Sequence, residues 1–88
     1  MLLNEDELRM YGERFLCRLY RTAQGIADRR FNRYDIFLAT GIGGITDVPQ
    51  ATDEIVQSLR NCGFIHTIEN SEDIRLSMAG LNEAEKVC

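Results

Sequence analysis

Few residues in the chain have the type and spacing for covalent chemistry. Its three cysteines, Cys17, Cys62 and Cys88, are odd in number, far apart and never in a Cys-x-x-Cys pair. That pattern predicts reduced thiols rather than a disulfide frame or a zinc site. Cys62 is expected to pack as a small apolar residue at a helix end, and Cys88 to lie in a frayed terminus. A nucleophilic cysteine needs a basic neighbour to form its thiolate. The single histidine, His66, falls in a strand-forming stretch and has no second ligand at metal spacing. The run "GIGGITDV" (41–48) invites a phosphate-loop reading, but it lacks GxxxxGK[ST] and no strand precedes it, so a flexible turn is expected. No paired carboxylates or nucleophile–base set stands out, and 88 residues leave little room for a substrate cleft. We therefore expect a binding protein rather than an enzyme, with no catalytic residue, metal or cofactor.

The other chemistry available is charge. The net charge is −4, but seven of nine arginines lie between Arg9 and Arg33 against two acids, Glu13 and Asp28, a local balance of +5. From Gly41 onward three bases face eight acids, a balance of −5. Such asymmetry marks either a surface for a polyanion or partner, or a chain that neutralises itself by folding one half against the other. At 44% hydrophobic and 27% charged residues, the composition is that of one soluble globular domain over residues 1–88. No apolar run approaches the ~20 residues of a membrane span. The acidic start "MLLNEDELRM" lacks a secretory layout, so a cytoplasmic location is expected.

Helices and one hairpin must position these charges. Asn4 with Glu7 forms a capping box, Leu3 with Leu8 a flanking staple, and Glu5 and Asp6 suit the helix dipole. Leu8, Tyr11, Phe15, Leu16, Leu19 and Ala23 then keep helical spacing, predicting a helix over 5–24. Gly25 is expected at its C′ position, with Ile26 folding back toward Tyr20. The apolar arc covers about half the circumference, so a second element or another subunit must cover it. Arg14, Arg18 and Arg21 form a neighbouring stripe, with Met10 and Cys17 beyond it. Asn32, Asp35 and a Phe31–Ile36 staple start a short, largely apolar helix over 33–40 that Gly41 ends. The third helix could begin at Pro49, although Val48 is a poor cap, or at Thr52 with Asp53 and Glu54; it closes at Gly63. Phe64, Ile65 and Ile68 form one strand, "NSED" (70–73) a turn, and Ile74, Leu76 and Met78 a return strand of period two. A terminal helix over 79–87 follows, with Ser77 as its cap.

Three helices, a hairpin and a last helix resemble the winged helix, a helix-turn-helix variant. "PQATDEIVQSLRNCGFI" (49–65) resembles its recognition helix through Pro49, Val56, Leu59, Gly63, Phe64 and Ile65. "DIRLSMAGLNEAE" (73–85) resembles the returning wing strand and following helix through Leu76, Ser77 and Gly80. The resemblance implies a mainly α fold with a three-helix core, a two-stranded wing and a C-terminal helix. It also implies a dimeric, DNA-binding transcriptional regulator. Gln50, Asp53, Glu54 and Gln57 would then reach base edges, with Arg60 and Arg75 as the basic groups of the helix and wing. Arg29, Arg30 and Arg33 would hold phosphates. The side of the first helix carrying Met10, Tyr11, Arg14, Cys17, Arg18 and Arg21 would pair subunits. Against DNA stand the carboxylates of the third helix and the wing-tip acids Glu69, Glu72 and Asp73. They favour the alternative, a winged helix that binds a protein partner.

Overall fold

The computed structural model describes residues 2–88. Its elements are α1 (Glu5–Thr22), β1 (Arg30–Asn32), α2 (Arg33–Ala39), α3 (Val48–Asn61), β2 (Ile65–Thr67), β3 (Asp73–Leu76) and α4 (Met78–Val87). Four helices and a small antiparallel sheet make a mostly helical domain.

The expected start of α1 is present in full. The Asn4 side chain accepts from the Glu7 amide, and the Glu7 carboxylate accepts from the Asn4 amide. Leu3 is buried, and Leu8 packs against the same core. The far end differs from expectation by one residue. Gln24, not Gly25, takes the C′ position with φ 56°, and the Gly25 amide donates to the Tyr20 carbonyl. Ile26 does not fold back but is 53% exposed. Phe15, Leu16 and Leu19 are buried within the chain, so the broad apolar arc of α1 is covered by the protein's own elements, among them α3 and α4.

Asn32 caps α2, accepting from the Tyr34 and Asp35 amides, and Ile36 and Phe37 enter the core. The helix α3 starts one residue ahead of the expected Pro49 start, and not at Thr52. It begins at Val48 with Pro49 in its first turn, and Asp47 is the cap, accepting from the Gln50 amide. Ala51, Thr52, Ile55, Val56 and Leu59 form its buried stripe. The one polar member, Thr52, is satisfied by donating to the Val48 carbonyl one turn back.

The sheet has three strands in the order β1-β3-β2, where only a two-stranded hairpin was expected. The missed strand, β1, pairs Phe31 with Ile74, and β2 pairs Thr67 with the same Ile74. Three residues with one inward phenylalanine give too little alternation to stand out beside an arginine cluster. Met78 was expected in the return strand but opens α4 and is 61% exposed. Strand period and helix entry coincide there, because Ser77 leaves the sheet to act as the cap.

The junction at Ser77 binds the two halves of the fold. Its hydroxyl accepts from the Gly80 amide at 3.0 Å and donates to the Gly63 carbonyl at 2.6 Å, while its own amide donates to the Phe64 carbonyl. Gly63, with φ 79°, ends α3 in a Schellman arrangement: its amide reaches the Arg60 carbonyl and the Phe64 amide reaches the Leu59 carbonyl. Gly80 is buried against this turn. A Cβ placed there would collide with the Phe64 carbonyl oxygen and lie 2.8 Å from its carbon.

The cysteines overturn the expectation of reduced thiols. Cys17 of α1 and Cys88 after α4 are joined by a disulfide, with Cα atoms 5.7 Å apart at a sequence separation of 71. The terminus is thus pinned rather than frayed. Cys62 is the free cysteine of the chain and is exposed rather than packed as an apolar residue. Cysteine spacing carried no sign of this pairing, because the partners meet only once α4 lies against α1.

Two measurements test this account. Gly80→Ala should cost about 3 kcal/mol or more in denaturant unfolding, since backbone cannot yield as a side chain can. Gly43→Ala, with open space around it, should be near neutral; equal effects of the two changes would refute the close approach. The disulfide closes a long loop, so reduction should lower stability by up to about 4 kcal/mol in the chain-entropy picture. The same reductant should leave a Cys17→Ser/Cys88→Ser protein unmoved, and the native protein should react with one equivalent of thiol reagent, at Cys62.

Candidate interaction surface

The outward side of α3 carries the polar residues singled out in the sequence. Gln50, Asp53, Gln57 and Arg60 are exposed, and Glu54 is half-buried. Most are already engaged. Glu54 is held by the chain's own start: its two carboxylate oxygens accept from the Leu2 amide at 2.6 Å and the Leu3 amide at 2.8 Å, and Gln50 Nε2 adds a third bond at 2.9 Å. The Leu2 amide, followed by Gln50 and the Leu3 amide, holds this carboxyl below its ordinary pKa. Gln57 Nε2 donates to Asn61 one turn on. Arg60 makes no ion pair among the described residues.

Asp53 is the centre of a second cluster. Its Oδ1 accepts from Arg33 Nη1 and from the Tyr34 hydroxyl, both at 3.2 Å. The Arg33 side chain is only 15% exposed, so this pair is the least screened of the four ion pairs among the described residues. Arg33 Nε also donates to the Glu72 carbonyl, and Asn32 reaches the Glu72 carboxylate, so the start of α2 is tied to the hairpin turn. Burial first, and then the Asp53 charge and its hydrogen bond, raise the Tyr34 pKa and keep the phenol a donor.

On the outer face of the sheet, strand register sets Arg75 between Arg30 on β1 and His66 on β2. Two arginines thus stand directly opposite each other, with His66 alongside Arg75, and like charges so placed repel unless anions intervene. Carboxylates do so. Arg30 bonds Asp73 at 3.1 Å, and Arg75 lies 3.9 Å from Asp28. The Arg75 Nε has no hydrogen-bond partner among the described residues. Arg29 points elsewhere, donating to the Ala23 carbonyl and lying 5.6 Å over the Phe31 ring. Of the three arginines expected to hold phosphates, Arg30 and Arg33 therefore have carboxylate partners from within the chain.

The residues expected to pair subunits fall together with one exception. Met10, Arg14, Cys17, Arg18 and Arg21 line one hollow of about 520 Å3, which also touches Val87, Cys88 and Thr40. Tyr11 is half-buried and packs on the core instead. A second hollow, about 340 Å3 between α1, α3 and α4, is floored by Leu8, Gly12, Leu16 and Leu59 and has Cys62 at its edge. Sequence reading missed the Glu54 strap, the Asp28 and Asp73 pairings and this second hollow. A capping pattern can be read locally, but these contacts join segments more than forty residues apart. Among the described residues no group of three His, Cys, Asp or Glu is placed to hold a metal, and no helix is long and apolar enough to cross a membrane. The chain matches no family model, no curated protein and no solved structure.

The Glu54 strap carries a pH dependence of definite sign. A carboxyl with a depressed pKa in the folded state contributes fully above its unfolded value, near 4.3, and loses that contribution as pH falls through the lower folded value. The Leu2 and Leu3 amide signals should therefore hold steady above roughly pH 5 and move together in acid. In a Glu54→Gln protein that acid transition should vanish. Amide shifts that titrate identically in both proteins would show that Glu54 does not hold the strap.

Proposed function

We propose that the chain is a winged-helix domain that binds a protein partner through the outer side of α3 and the β2–β3 hairpin. The support for the fold is the element order, with β1 between α1 and α2 and the hairpin directly after α3. The observation that carries the function is electrostatic. On this side Asp47, Asp53, Glu54, Glu69 and Glu72 outnumber the cations, and Arg33 is already committed to Asp53. A DNA backbone brings one negative charge per ~1.7 Å of axis and would need a surplus of free cations to offset those carboxylates. A partner presenting lysines or arginines meets no such penalty.

DNA binding as a dimeric transcriptional regulator is the second reading. Two observations favour it: Gln57 and Arg60 are exposed along α3, and the cross-strand Arg30–Arg75 pair places two cationic groups on the outer face of the sheet. A cytoplasmic location remains part of either reading, although the Cys17–Cys88 bond fits an oxidising compartment better.

Titration with duplex DNA at low and at moderate salt separates the readings. The protein-binding reading expects no saturable binding even at low salt. Saturable binding that falls steeply with salt, and weakens across all sequences in an Arg29→Ala/Arg30→Ala/Arg33→Ala protein, would overturn it in favour of DNA.

A further inference from the structure

We propose that Arg14, Arg18 and Arg21, with the hollow beside them, form a docking site for an acidic amphipathic helix of a partner protein. This site lies on α1 and does not rest on the reading of α3.

Among the described residues the three arginines of this stripe make no ion pair, a condition shared among the arginines by Arg29 and Arg60 elsewhere on the surface. Arg9, Arg30, Arg33 and Arg75 each meet a carboxylate. Arg14, Arg18 and Arg21 meet none among the described residues, although the chain is acidic overall. Arg14 is steadied by donating to the Thr40 carbonyl at the end of α2. Arg18 is half-buried without an ion pair. One acid, Glu13, lines the same hollow and lies beyond ion-pair distance of all three.

The geometry points to an acidic helix. At ~1.5 Å rise per residue the three guanidinium groups span roughly 10 Å along α1, about two helical turns. Carboxylates at i, i+4 and i+7 of a partner helix repeat that spacing, and arginine binds carboxylate in fork geometry. The hollow adds an apolar component, since Met10 is 57% exposed and Val87 is 37% exposed beside it. A nucleic-acid backbone would leave that surface unused, and no further unpaired arginine of α1 extends the track. Self-pairing about a two-fold axis through this stripe would set like charges opposite one another, so a second copy is the poorer occupant.

The test uses the oxidised full chain and a synthetic amphipathic helix with glutamates at i, i+4 and i+7 and leucines on the adjoining positions. Saturable binding is expected, weakened by added salt and lowered roughly tenfold or more by Arg18→Glu/Arg21→Glu. Arg18→Lys/Arg21→Lys should restore part of it, and Met10→Asp should weaken it with the arginines intact. Thermal melts of each variant separate lost binding from lost folding. No binding by the native protein overturns the proposal, and so does equal binding of a scrambled peptide of the same composition. Duplex DNA that binds at the same arginines more tightly than the peptide would reassign the site to nucleic-acid backbone.

Discussion

The hydroxyl of Ser77 is the point on which the fold turns. One oxygen caps α4 and donates to the carbonyl of Gly63, so the end of one helix and the start of another share a single group. Buried backbone amides and carbonyls must find partners, and here the two ends of the hairpin bond each other directly. The arrangement demands that α4 approach the turn after α3 at backbone distance, and Gly80 permits that approach. Once these are fixed, Ile65, Ile74 and Leu76 face Ile55, Val56 and Leu59 across one buried cluster. A hairpin follows α3 directly because α3 buries only one stripe, and the sheet closes the core from its flank.

Local signals in the sequence carried most of this. Asn4, Asn32 and Ser77 each cap the helix expected of them, and Gly63 ends α3 as its position foretold. These features depend on neighbours three to six residues away, where side-chain chemistry and backbone geometry are tightly coupled. The cap of α3 is less legible than its start near Pro49, because Asp47 sits in a glycine-rich run and caps across a proline. β1 and the Cys17–Cys88 bond were not legible for a different reason. Each depends on a partner more than forty residues away, so no local pattern encodes it.

The candidate surfaces show the limit of counting charges. Regional balances of +5 and −5 are real, and the fold does bring part of the two halves together: Arg30 with Asp73, Arg33 with Asp53, Arg75 with Asp28. The first two join the arginine-rich segment to the acidic half, as a self-neutralising chain would. The stripe on α1 does not take part, because its side of the helix turns away from the hairpin and toward the terminus pinned by Cys88.

Pairing matters more than proximity in deciding which of these groups remains available. An arginine already bonded to a carboxylate must break that bond to bind a new anion, so its net gain is small. This holds most strongly for Arg33, whose guanidinium is sheltered and also donates to the Glu72 carbonyl. It does not hold for Arg18 and Arg21, which make no hydrogen bond or ion pair among the described residues, and Arg14 has only its 3.3 Å bond to the Thr40 carbonyl to give up. The same logic applies with opposite sign to α3. Glu54 accepts only from neutral amides and so keeps its full negative charge, while Asp53 is offset by Arg33. On the proposed reading, α3 and the hairpin therefore present carboxylates to a cationic partner, whereas α1 presents arginines without ion pairs to an acidic one.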